Sequence, residues 1–153
     1  MVVYFIDSSA LVKRYVNETG SAWILGLFNP ILSNEIFIGA ITGVEIIAAI
    51  SRRTRGESLS SSDATTLCNQ FRNDYQTDYQ VVEITDNIVT SGMRLAETYG
   101  LRGYDAIQLA VASAIHRLCL ANSISLIFVS ADNELNAAAL RENMVVDNPN
   151  KYP

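Results

Sequence analysis

Four carboxylates are the residues of this chain best placed to do chemistry: Asp7, Glu45, Asp105 and Asp132. Asp7 closes the strand-forming run Val2 to Ile6 in MVVYFIDSSALVKRY and is followed at once by Ser-Ser. Asp132 stands two residues beyond the end of SLIFVS. Glu45 is the lone acid of AITGVEIIAAI, and Asp105 the lone acid of YDAIQLAVASAI. An acid inside an apolar helical stretch is at least partly buried, and a buried carboxylate must be paired, protonated or bound to a metal. Each acid also has a plainer explanation. Asp is a favoured N-cap, which suits Asp7 and Asp132, while a first-turn acid complements the helix dipole, which suits Glu45 and Asp105. Together they say more. Carboxylates brought within ~4–6 Å repel, and most stay ionised only with a cation among them. Oxygen donors with no His or Cys cluster select Mg2+ or Mn2+ over Zn2+. The only histidine, His116, falls mid-helix and reads as packing or surface. Its position fits chemistry in which water activated by a metal, rather than a histidine base, is the nucleophile.

Convergence of the four requires particular elements. Short apolar runs alternate with longer helical patterns along the chain. Strands are expected at 2–6, 35–39, 79–84 and 125–130, with 144–146 as a possible edge strand. Helices are expected at 9–17, 21–28, from about 40 to 53, 63–76, 87–100, 104–120 and 134–140. Ser61 or Ser62 should cap the fourth of these, and Gly100 should end the fifth as its C′ residue. Strands separated by helices imply parallel pairing with right-handed crossovers, hence a three-layer α/β/α sandwich around a mainly parallel sheet. In such sheets ligands bind beyond the carboxyl ends of the strands, where Asp7 and Asp132 stand and where helices carrying Glu45 and Asp105 begin.

Composition narrows the class. At 153 residues and 16.8 kDa the chain is expected to form a single domain, 1–153. No apolar run approaches the ~18 residues needed to span a bilayer, and no basic segment precedes an apolar one at the N-terminus, so a cytoplasmic location without membrane association is expected. Cys68 and Cys119 both lie in helical patterns and read as buried free thiols. A net charge of −5 and a pI near 4.7 argue against general electrostatic capture of nucleic acid. A nucleic-acid ligand would need local basic patches, bound cations or a basic partner.

Other motifs are missing. There is no GxGxxG or GxxxxGK[ST] phosphate loop and no G-x-S-x-G elbow. A phosphate-responsive receiver would want a lysine late in the sheet, and SLIFVSADN has none. Basic residues cluster at Lys13 and Arg14, at Arg52, Arg53 and Arg55, and at Arg102. A basic helix C-terminus is ordinary dipole chemistry; the alternative is that some of these side chains hold phosphates near the acids. Tyr15, Tyr99 and Tyr104 could stack on bases but more simply form the rim of the core. Trp23 reads as a packing anchor for the helix before it.

The ordered segments FIDSSALVKRY, GVEIIAAISRR, LRGYDAIQLAVA and FVSADNEL, spread over nearly the whole chain, resemble the PIN-domain ribonuclease family, specifically the small VapC-type toxins of toxin–antitoxin pairs. The resemblance implies a Mg2+- or Mn2+-dependent endoribonuclease whose four acidic positions are Asp7, Glu45, Asp105 and Asp132. It also implies supporting hydroxyls at Ser9 and Ser130. For an RNA substrate, the basic clusters offer Lys13, Arg14, Arg52, Arg53 and Arg102 as the candidate contacts. In SADNEL the aromatic often found shortly after the fourth acid is replaced by Leu135. The resemblance further implies a homodimer held inactive by a cognate antitoxin. The competing expectations are a PIN-domain nuclease of RNA processing, and a non-catalytic protein-binding domain on the same fold.

Overall fold

The computed structural model describes residues 1–153. Five strands form the centre: β1 (Val3–Ile6), β2 (Glu35–Gly39), β3 (Gln80–Val82), β4 (Leu126–Val129) and β5 (Val145–Asp147). Every pairing is parallel, and the order across the sheet is β3-β2-β1-β4-β5. Seven α-helices connect and cover them: α1 (Ser8–Leu11), α2 (Ser21–Leu27), α3 (Ala40–Arg55), α4 (Ser61–Thr77), α5 (Asp86–Tyr99), α6 (Gly103–Ala121) and α7 (Asn133–Arg141). The expected α/β/α sandwich is borne out, and the suspected edge strand is present as β5. No helix is long and apolar enough to cross a membrane.

Side-chain alternation in the strands builds two cores. Val3 and Phe5 of β1, with Leu126 and Phe128 of β4, face one side with Leu95 of α5 and Leu109 of α6. Ile6 and Val129 face the other side with Ile24, Ile46, Ile50 and Phe71. The register explains the match, since Phe5 pairs with Phe128 across the ladder, and their rings stack at 5.8 Å with an interplanar angle of 6°. Helix α6 is apolar nearly all round because it lies deep in the first core, with Leu109, Ala110, Val111 and Ala112 shielded from solvent. It packs closely on α5 at Gly92, where a Cβ would come within 3.0 Å of Ile107 Cδ1. Gly100 ends α5 at φ 66°, as expected of a left-handed C′ residue.

Some elements depart from the sequence pattern. The helix expected at 9–17 is α1 followed by a 3-10 turn, Val12–Arg14. Beyond that turn Tyr15 is drawn into the second core, where its ring meets Phe71 edge-on at 5.4 Å. Its hydroxyl donates to Asp74 at 2.8 Å. The cap of α4 is Ser60, which accepts from the Asp63 amide, so the serine one position before the expected pair begins the helix. Trp23 anchors the end of the chain rather than its preceding helix: its ring stacks on Tyr152 at 4.6 Å. Cys119 is buried, but Cys68 is only half-buried on α4.

The Phe5–Phe128 stack gives a direct check on the first core. Phe128→Ala should cost about 3–5 kcal/mol, read as a fall in the urea midpoint at unchanged m-value.

Candidate active site

The strand order places a switch point between β1 and β4. From β1 the chain builds outward through β2 to β3, then crosses through α5 and α6 to lay β4 on the opposite side of β1. A crevice opens at the carboxyl ends where connections diverge this way. The residues that leave those two strand ends, Asp7 to Ser9 and Ser130 to Asp132, meet there.

Asp7 is the centre of that meeting, with only 2% of its surface exposed. Its Oδ1 accepts from Ser9 Oγ at 2.8 Å and from the Ala10 amide at 3.0 Å. Its Oδ2 accepts from Ser130 Oγ at 2.8 Å. Asp7 therefore does cap α1, yet capping alone requires neither hydroxyl. The serines are themselves fixed. Ser9 Oγ accepts from the Ala131 amide at 3.0 Å and Ser130 Oγ from the Asp132 amide at 3.0 Å. Asn136 Nδ2 of α7 donates to the Ser130 carbonyl at 2.8 Å. Despite these donors, burial pushes the Asp7 carboxyl up to about 7, with the negative charge of Glu45 adding to the rise.

Glu45 stands on the second turn of α3 and is half-buried. Ser8 Oγ donates to its Oε2 at 3.0 Å and Gln108 Nε2 to its Oε1 at 2.7 Å. The same Gln108 amide reaches Thr42 Oγ1 at 2.8 Å, while its own Oε1 is shielded without a partner. Asp105, in the first turn of α6, has its pKa raised, first by burial and then by the charge of Asp132, against the lowering influence of Arg102; Glu45 and Glu134 push it further upward. Asp132 caps α7 through its Oδ1, which accepts from the Leu135 amide at 3.0 Å.

The acids thus influence one another across the crevice, and none of the four enters an ion pair. No group of three or more His, Cys, Asp or Glu side chains stands close enough together to hold a metal ion as arranged. The chemistry of the donors nevertheless suits a hard cation. All are carboxylate or hydroxyl oxygens, and each oxygen of Glu45 keeps a lone pair beyond its single hydrogen bond. The negative charge at this edge has no protein cation bonded to it.

The basic residues divide differently. Lys13 pairs with Glu18 at 3.3 Å, and Arg53 pairs with the same carboxylate. Arg14 bonds Asp78 at 2.6 Å and lies over the Phe28 ring at 3.9 Å. Lys13, Arg14 and Arg53 are therefore committed within the chain, which leaves Arg52 and Arg102 exposed among the expected RNA contacts. His116 is buried, its Nδ1 without a partner. Sequence reasoning passed over Ser8, Gln108 and Asn136. Gln108 had a visible signal: a polar residue three positions after Asp105, one helical turn on, in a window otherwise apolar.

A PIN domain model matches residues 4–140. The chain belongs to the PIN domain family. This PIN domain is 30% identical to ribonuclease VapC45 of Mycobacterium tuberculosis over 114 residues, 74% of its own length and 76% of the relative's. Ribonuclease VapC49 of the same species matches over the same span at the same identity. A toxin–antitoxin complex from Klebsiella pneumoniae shares the fold, with TM-score 0.61 at 17% identity over 95% of this chain and 97% of that one. So does VapBC2 from Rickettsia felis bound to a promoter DNA fragment, with TM-score 0.60 at 14% identity over 96% and 98%. The family expected from the sequence is borne out.

The buried acid sets a pH dependence in the absence of metal. Asp7 has a folded value of about 7 against 3.8 unfolded, so the folded state holds the extra proton between those values. Stability is greatest below the unfolded value and falls as pH rises through about 7, by up to ~4 kcal/mol. Urea midpoints in chelator from pH 4 to 8 should show this slope, and Asp7→Asn should flatten it.

Proposed function

We propose that this PIN domain is a divalent-metal-dependent endoribonuclease, the toxin of a toxin–antitoxin pair. The nuclease class is borne out by the family match and by two ribonuclease relatives. The observation that carries the reading is Asp7: a buried carboxylate at the central strand's end, among other acids and bonded to no protein cation.

Asp7, Glu45 and Asp105 would hold Mg2+ or Mn2+, directly or through water, with Asp132 completing the shell or serving a second ion. When bound, the ion supplies charge stabilisation at the attacked phosphate and activates water for attack. The chain's own residues prepare for it. Ser9 and Ser130 fix both oxygens of Asp7, and Ser8 and Gln108 fix both oxygens of Glu45. Asp7 holds its proton up to about pH 7 in the free protein, so loading the site at neutral pH releases a proton from that carboxyl. Arg52 and Arg102 are free to meet RNA phosphates flanking the scissile bond.

An apolar groove of about 430 Å3 lies beside Asp105, lined by Val89 and Met93 of α5 and by Tyr104 and Ile107 of α6. Met93 and Tyr104 are 67% and 62% exposed and lie together on this groove, as one apolar patch. This groove supports the homodimer and antitoxin expectations, since a partner there would cover the edge of the acidic crevice.

Cleavage of single-stranded and structured RNAs should require Mg2+ or Mn2+, stop in EDTA, and fall at least about a hundredfold in Asp7→Asn. Ser130→Ala and Gln108→Leu should each cost about 10–100-fold, as supports of the ligands. Cleavage persisting in both EDTA and Asp7→Asn would remove the proposal. Independently of turnover, Mn2+ should raise the melting temperature at pH 7.5 in the native chain and leave Asp7→Asn unmoved.

A further inference from the structure

The antiparallel pair α3 and α4 encloses a second cleft, of about 460 Å3, away from the four acids. Its lining includes Ser51, Thr54 and Arg55 from α3 and Cys68, Asn69 and Arg72 from α4, and it contains no carboxylate. That is notable on a chain of net charge −5. Arg55 and Arg72 enter none of the molecule's ion pairs. The one polar contact of Arg72 is a long one, 3.5 Å to Asn69 Oδ1 in the same cleft.

Two unpaired guanidinium groups thus line one cleft with no carboxylate between them. A tetrahedral oxyanion would meet both, because guanidinium forks match phosphate oxygens in pairs.

We propose that the α3–α4 cleft is a phosphate-binding site, held by Arg55 and Arg72. The phosphate is either a free small ligand or a group of an RNA backbone, and both present the same oxygens. Glu45 lies ten residues before Arg55 on α3, ~15 Å along the helix. The cleft opens on a different flank of α3 from Glu45, so the site is distinct from the catalytic crevice. Binding here does not depend on the nuclease reading, since it is measured without turnover.

The half-buried thiol of Cys68 lies in the cleft, while the other cysteine, Cys119, is buried. Maleimide labelling of Cys68 in the full chain therefore reports occupancy. In EDTA, inorganic phosphate should slow that labelling and shift the amide resonances of Ser51–Arg55 and Asn69–Arg72. Affinity for phosphate should drop at least about tenfold in R55M/R72M and persist in R55K/R72K. Circular dichroism verifies that each variant is folded. If a single-stranded RNA also protects Cys68, and R55M/R72M lowers the salt slope of its binding by about 0.7–1, the phosphate belongs to RNA. Protection by inorganic phosphate but not by RNA assigns the cleft to a small phosphate ligand. Labelling unchanged by both probes, or unchanged phosphate affinity in folded R55M/R72M, overturns the site.

Discussion

A carboxylate without a countercharge, held at the carboxyl end of the central strand, is the constraint on which the rest of this molecule turns. Asp7 is buried because β1 sits in the middle of the sheet with neighbours on both sides. Burial alone would favour the neutral acid. The surrounding donors act the other way, since two serine hydroxyls and an amide hold both oxygens in place for the ionised form. The folded protein is thus built for a charge that it does not itself neutralise, and it gives up stability near neutral pH to keep that charge in position. Such an arrangement suits a site whose missing component arrives from solution.

Much of the domain's order can be traced to holding that position. The switch between β1 and β4 brings Ser130 to Asp7 from across 123 residues of chain, and the paired register of the two strands sets the height at which they meet. Gln108 performs a similar service for Glu45, joining α6 to α3. The apolar faces of α6 and of both sheet surfaces supply the rigidity. The polar bonds then determine direction rather than stability.

The fold was readable because strand and helix periods in this chain are clean, and because parallel α/β topology leaves few alternatives. Boundaries were read less well where tertiary contacts compete with local pattern. Tyr15 enters the second core, so the first helix tightens into a 3-10 turn, and Trp23 finds Tyr152 from the far end of the chain. The four acids could be located as lone charges beside apolar runs, and the helix-cap reading of Asp7 and Asp132 is borne out as well. Their supporting residues were harder to see, since Ser8 and Asn136 look like ordinary polar residues until their partners are known. Basic clusters were the least informative. Sequence gives the charge of Lys13, Arg14 and Arg53 but not the carboxylates already waiting for them.

The contribution of β4 and α7 to the crevice has a consequence for the order of synthesis. A polypeptide emerging from the ribosome presents Asp7, Glu45 and Asp105 well before Ser130 and Asp132 appear. Until β4 docks against β1, the first acid lacks one of the two hydroxyls that reach its second oxygen. A partly translated PIN domain therefore lacks the hydroxyl and the acid that the ends of β4 and α7 bring to Asp7's edge of the sheet, and the crevice is complete only as the final strands fall into place.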